Sequence, residues 1–146
     1  MNEIISIQNI CLDLNAKDRN DVLKYISELA NELDIISNKN EVFKSLIERE
    51  EQQSTYLGEY ISLPHTKSEY VRVPKIFIIK LKNIIMWDNF EVKLVISILA
   101  PEYFESKKHL SIISGLTRKL VNKEFRKELI EAEKKEQVLE MIYSAI

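Results

Sequence analysis

The stretch Val92-Lys93-Leu94-Val95-Ile96-Ser97-Ile98-Leu99-Ala100-Pro101 decides the fold. Its apolar run is rich in β-branched residues, which suits a strand, and Pro101 closes it because proline has no N–H for a ladder. Moving upstream, Ile84 to Trp87 is a short apolar stretch ended by a turn at Asp88-Asn89. Lys75 to Leu81 carries Ile76-Phe77-Ile78-Ile79, the near-continuous pattern of a second buried strand. Ser68 to Pro74 reads as a loop, and residues 60–64 as a strand that Pro64 must end. His65 is then expected where strand gives way to loop.

Both flanks of this strand block read as helical. Asp18 or Asn20 is a cap for a helix over about residues 21–36, with Val22, Ile26, Leu29, Ala30 and Leu33 at helical spacing. Asn38, followed three residues on by Glu41, resembles a capping box for a helix striped by Val42, Phe43, Leu46 and Ile47. After Pro101, Ser106 is a candidate cap for a stripe of Leu110, Ile113, Leu116, Thr117 and Leu120. Asn122 caps the next helix, and Val138, Leu139 and Ile142 mark the last. Ile4 to Leu14 is an extended or irregular entry. The class is therefore α/β, with helices packed on a mixed β-sheet, and residues 1–146 are expected to form a single domain.

Composition removes many functions. Lys and Arg total 21 against 23 for Asp and Glu, so no basic field points to nucleic acid. Gly58 and Gly115 are the only glycines, too few for a phosphate-cradling glycine loop. No Cys/His cluster has metal spacing, and no metal or organic cofactor is expected. The lone Cys11, set among apolar residues, reads as a buried structural thiol in a reducing compartment. No apolar run approaches the roughly 20 residues that cross a bilayer, and no signal-peptide profile opens the chain, so a cytoplasmic location is expected.

Three residues are candidates for chemistry: His65, His109 and Arg49. Neutral imidazole is a nucleophile near pH 7 and can hold a group covalently before passing it on. A phosphoryl group would need cations or N–H donors for its oxygens, which an arginine fork or a second histidine supplies. On spacing alone, an idle surface histidine and an Arg49 that serves a helix end or a solvated face are the plainer readings. Trp87, with Ile85 and Phe90, is read as core or edge packing rather than a partner-facing patch, and the charge run Lys119 to Lys135 as solvated helix faces.

The ordered stretch Arg49-Glu50, Ser54-Thr55, Gly58 and Ile61-Ser62-Leu63-Pro64-His65 resembles fructose/mannitol-type enzyme IIA domains of the bacterial phosphotransferase system. Trp87-Asp88, the run to Pro101, His109-Leu110 and Phe125-Arg126 continue the likeness over almost the whole chain. The resemblance implies a mixed sheet with helices on both faces. It also implies a phosphocarrier that takes a phosphoryl group from the histidine-containing phosphocarrier protein and gives it to an enzyme IIB domain. His65 would be the phosphorylated nucleophile, His109 its supporting histidine and Arg49 the stabilising cation. Contact with the membrane would run only through IIB to the embedded IIC. A regulatory role, of the nitrogen type or within transcriptional regulators, is the alternative in the same resemblance. Two departures stand out: Tyr56 and Tyr60 occupy places where glycine is frequent, which predicts a loop of different shape. Thr66 stands where glycine often follows the histidine, which predicts a narrower or more polar approach to the ring.

Overall fold

The computed structural model describes residues 3–146. A 3-10 turn, Ile7–Asn9, leads into strand β1 (Ile10–Leu14) and two helices, α1 (Arg19–Glu32) and α2 (Lys39–Gln52). Three short strands follow: β2 (Tyr56–Gly58), β3 (Ile61–Ser62) and β4 (His65–Ser68). The long strands β5 (Lys75–Trp87) and β6 (Phe90–Pro101) form a hairpin, and α3 (Ser106–Leu120), α4 (Lys123–Glu131) and α5 (Lys135–Ala145) close the chain. The helix starts use the expected chemistry at Asp18, Asn38 and Asn122, whose side chains accept from the N–H groups of Asp21, Glu41 and Phe125. Ser106 is instead the first helical residue, after an uncapped Glu105.

Strand β6 is the spine of the six-stranded mixed sheet. One edge pairs antiparallel with β5, which in turn pairs parallel with β1. The other edge is shared: β3 pairs parallel with its first half and β4 with its second. The expected pair of apolar stretches before Asp88 is a single strand, β5, whose register shifts between Lys80 and Ile85. The shift leaves Lys82, Asn83 and Ile84 exposed, which is why the pattern looked broken in the sequence.

Alternation along the strands feeds two cores. Phe77, Ile79, Val95 and Leu99 pack with Val22, Ile26 and Val42 from α1 and α2. Ile76, Ile78, Leu94, Ile96 and Ile98 pack with Leu116, Leu129 and Ile142 from α3, α4 and α5. Helices thus cover both faces, as expected. Trp87 is fully buried and belongs to the first core. Cys11 is only partly buried beside that core, because it lies on the sheet's outer strand next to Tyr25.

Candidate active site

The site begins at the break between β3 and β4. Pro64 has no N–H for β6, but its carbonyl still accepts from the Ile98 N–H at 3.1 Å. The chain therefore stays alongside β6 across the gap, and His65 pairs with Ile98 as the first residue of β4. This corrects the sequence expectation that His65 would stand in a loop: the proline interrupts the ladder without ending the strand's course.

His65 is half-buried, and its Nδ1 lies 2.9 Å from the Leu63 carbonyl oxygen. A carbonyl can only accept, so the neutral ring carries its proton on Nδ1 and keeps the lone pair on Nε2. Burial pushes this imidazole below its ordinary pKa and the Arg49 charge adds to that, while the Leu63 bond and Glu50 pull the other way. The net effect favours the neutral, nucleophilic ring.

His109 arrives from the first turns of α3, with its ring centroid 5.8 Å from that of His65 and the planes tilted by 55°. Phe104 packs edge-on against it at 6.3 Å. Its Nδ1 is buried with no hydrogen-bond partner among the described residues, so Nε2 is the nitrogen left to meet a ligand. Burial, then the neighbouring His65, then Lys67, all depress its pKa. Two imidazoles this close disfavour the state in which both are charged.

Arg49 comes from the opposite side, on the last turn of α2. Its Nη1 donates to the Gln53 carbonyl at 2.7 Å, closing that helix end, and its charge acts on His65. The helix-end contact read from the sequence and proximity to His65 therefore coexist. The three candidate residues converge from α2, β4 and α3.

Sequence reasoning missed the supports. Glu50 is buried, and its carboxylate accepts from the Thr55 N–H at 3.1 Å, the Trp87 Nε1–H at 3.2 Å and the Thr55 hydroxyl. It thereby ties the end of α2 to the following loop and to β5. The signal was there, since Glu50 continues the Val42–Leu46 stripe at the next four-residue step. Thr66 is buried and its hydroxyl meets that of Ser45 on α2. It points away from His65, so it does not narrow the approach as expected. Lys67, two residues along β4, donates from Nζ to the Ser106 hydroxyl at 3.3 Å.

The β2–β3 turn is tight. Gly58 pairs with Ile61, leaving Glu59 and Tyr60 as a two-residue turn with φ values of 53° and 68°. Tyr60 thus holds a left-handed conformation that a bulky residue rarely takes. Its carbonyl accepts from Lys93 and Leu94 N–H groups at 2.8 and 3.1 Å, which holds the turn in place. Tyr56 lies extended in β2 and stacks on Phe90, with centroids 4.4 Å apart.

An imidazole with its Nε2 lone pair free, a second imidazole 5.8 Å away and a guanidinium whose charge reaches the first make an arrangement suited to carrying a transferred anionic group. The family model of the "Phosphoenolpyruvate-dependent sugar phosphotransferase system, EIIA 2" matches residues 3–145, and the chain belongs to this family. It is 29% identical over 141 residues to multiphosphoryl transfer protein 1 of Escherichia coli K12, covering 95% of this chain but 17% of that one. The nitrogen regulatory protein IIA-Ntr of Neisseria meningitidis has the same fold, with a TM-score of 0.87 and 25% identity over 95% of this chain and 96% of its own. So does Escherichia coli mannitol IIA, solved in complex with phosphorylated IIB, at a TM-score of 0.80 and 21% identity over 95% and 96% of the two chains. Among the described residues, no helix is long and apolar enough to cross a membrane.

Proposed function

We propose that this phosphotransferase-system component carries its phosphoryl group on Nε2 of His65. The Nδ1 contact to the Leu63 carbonyl carries this reading, because it fixes the lone pair on the other nitrogen. The histidine-containing phosphocarrier protein is the donor. The Nε2 lone pair becomes the new N–P bond as the donor's N–P bond breaks and its electron pair stays on the donor nitrogen. The proton remains on Nδ1, where the Leu63 carbonyl stabilises the charge that develops on the ring. His109 donates to one phosphoryl oxygen and Arg49 to another. An enzyme IIB domain then takes the group, in keeping with the mannitol IIA found in complex with phosphorylated IIB.

Incubation with phosphoenolpyruvate, enzyme I and the histidine phosphocarrier is expected to place one acid-labile, base-stable phosphate on the chain. Undiminished labelling of His65→Ala would overturn the assignment. The likeness to a nitrogen regulatory protein supports a second reading, in which the phosphorylation state controls a binding partner instead of sugar flux. Transfer from the labelled chain to a IIB domain encoded beside it favours transport, and retention of the label favours regulation.

A further inference from the structure

Resting on the reading of His65 as the phosphorylated nucleophile, we propose that Lys67 is a further cation for the transferred group, leaving Ser106 to bind a phosphoryl oxygen as the group arrives. Alternate residues of a strand share a face, so Lys67 stands on the same side of β4 as His65. The register agrees: His65 lies beside Ile98, and Lys67 beside Ala100. Ile98 packs into the core formed with α3, so this is the face that looks toward His109.

The end of the Lys67 side chain fixes its position. Nζ donates to the hydroxyl of Ser106, the first residue of α3, and His109 follows three residues later on the same helical face. The ammonium is close enough to His109 to act on its ring. Its resting partner is a single neutral hydroxyl at 3.3 Å, and no carboxylate pairs with Lys67 among the described residues. A phosphoryl oxygen is a stronger acceptor than that hydroxyl, so the exchange is favourable. Arg49 approaches from α2, on the other face, so the two cations bracket the group. With His109, the three phosphoryl oxygens each gain one donor, which is the distribution that stabilises charge spread over them during transfer. Lys67 forms and breaks no covalent bond: the N–P bond passes to His65 as described above, and the ammonium keeps its protons.

The test compares Lys67→Met and Lys67→Arg with the native chain. Rapid-quench labelling from phosphoenolpyruvate, through enzyme I and the histidine phosphocarrier, gives the rate of transfer to His65. Phosphorus NMR across a pH series gives the second ionisation of the phosphohistidine. Lys67→Met is expected to slow labelling by about tenfold and to raise that ionisation, while Lys67→Arg restores both. Labelling of Lys67→Met at the native rate with an unshifted phosphorus titration overturns the proposal. A native chain that takes no label, or a His65→Ala chain that still takes it, refutes the underlying assignment instead and is distinguishable by that pattern.

Discussion

Replacing Glu50 by alanine tests whether the site is held by its buried carboxylate. In the folded chain this side chain accepts three hydrogen bonds, from the Thr55 N–H, the Thr55 hydroxyl and the Trp87 indole. Glu50 is 3% exposed, so water does not replace them easily. Each bond to a charged acceptor contributes about 1.5–3 kcal/mol, and each stranded buried donor costs about 1–3 kcal/mol. These are two views of the same loss and do not add. The Thr55 hydroxyl can rotate toward another acceptor, whereas the indole and the backbone N–H cannot. The expected cost of Glu50→Ala is therefore about 3–5 kcal/mol. Glu50→Gln keeps one carbonyl oxygen and should cost less, about 1–3 kcal/mol. Urea unfolding followed by the fluorescence of Trp87, the chain's one tryptophan, gives both values. A cycle with Thr55→Val isolates the shared bond and should show coupling above about 0.5 kcal/mol. A Glu50→Ala cost below about 1 kcal/mol with an unchanged m-value would refute the reasoning.

Further outcomes follow from the turn and from the two imidazoles. Tyr60→Gly relieves a left-handed residue, a gain of about 1–2 kcal/mol set against about 0.5–1 kcal/mol of added chain entropy. A net gain of about 0.5–1 kcal/mol should appear as a higher urea midpoint, and a clear loss would show that the φ of 68° carries no strain. His65 and His109 both sit below their ordinary pKa in the folded chain. As pH falls below about 6.5, the unfolded chain takes up protons that the folded chain resists, so stability declines until the depressed folded values are passed. The melting temperature should therefore drop between pH 7.5 and 5.5, and less steeply in a His65→Gln/His109→Gln variant. An equal slope in the variant would place the dependence elsewhere.

Strand β6 and its hairpin partner were legible because a buried strand writes its environment directly into a run such as Ile76-Phe77-Ile78-Ile79. The capped helices were legible for a similarly local reason, since Asn38 and Asn122 act on N–H groups three residues away. The setting of His65 was not, because a proline announces a lost donor but not whether the chain turns aside. What keeps it beside β6 is the Pro64 carbonyl, a group identical in every residue. The conformation of Tyr60 was hidden for a related reason: propensity argues against it, and two hydrogen bonds from β6 override propensity. The likeness to a family named Arg49, His65 and His109, but their meeting depends on the ends of α2, β4 and α3 reaching one place. No local pattern records that. Lys67 and Glu50 were passed over because a charge in a strand or at a helix end ordinarily serves solvent.

The parallel docking of β4 on β6 also governs when the site comes into being. A chain leaving the ribosome presents Arg49 and His65 early, yet β4 has nothing to lie against until β6 has been made. Pairings between segments far apart in sequence pay their loop-closure entropy before any contact repays it, so this step follows formation of the β5–β6 hairpin. His109 emerges later still, on α3. A nascent chain thus holds His65 without the frame that tunes its ring. The frame around His65 is therefore complete only once α3, which follows β6 in the chain, has been made.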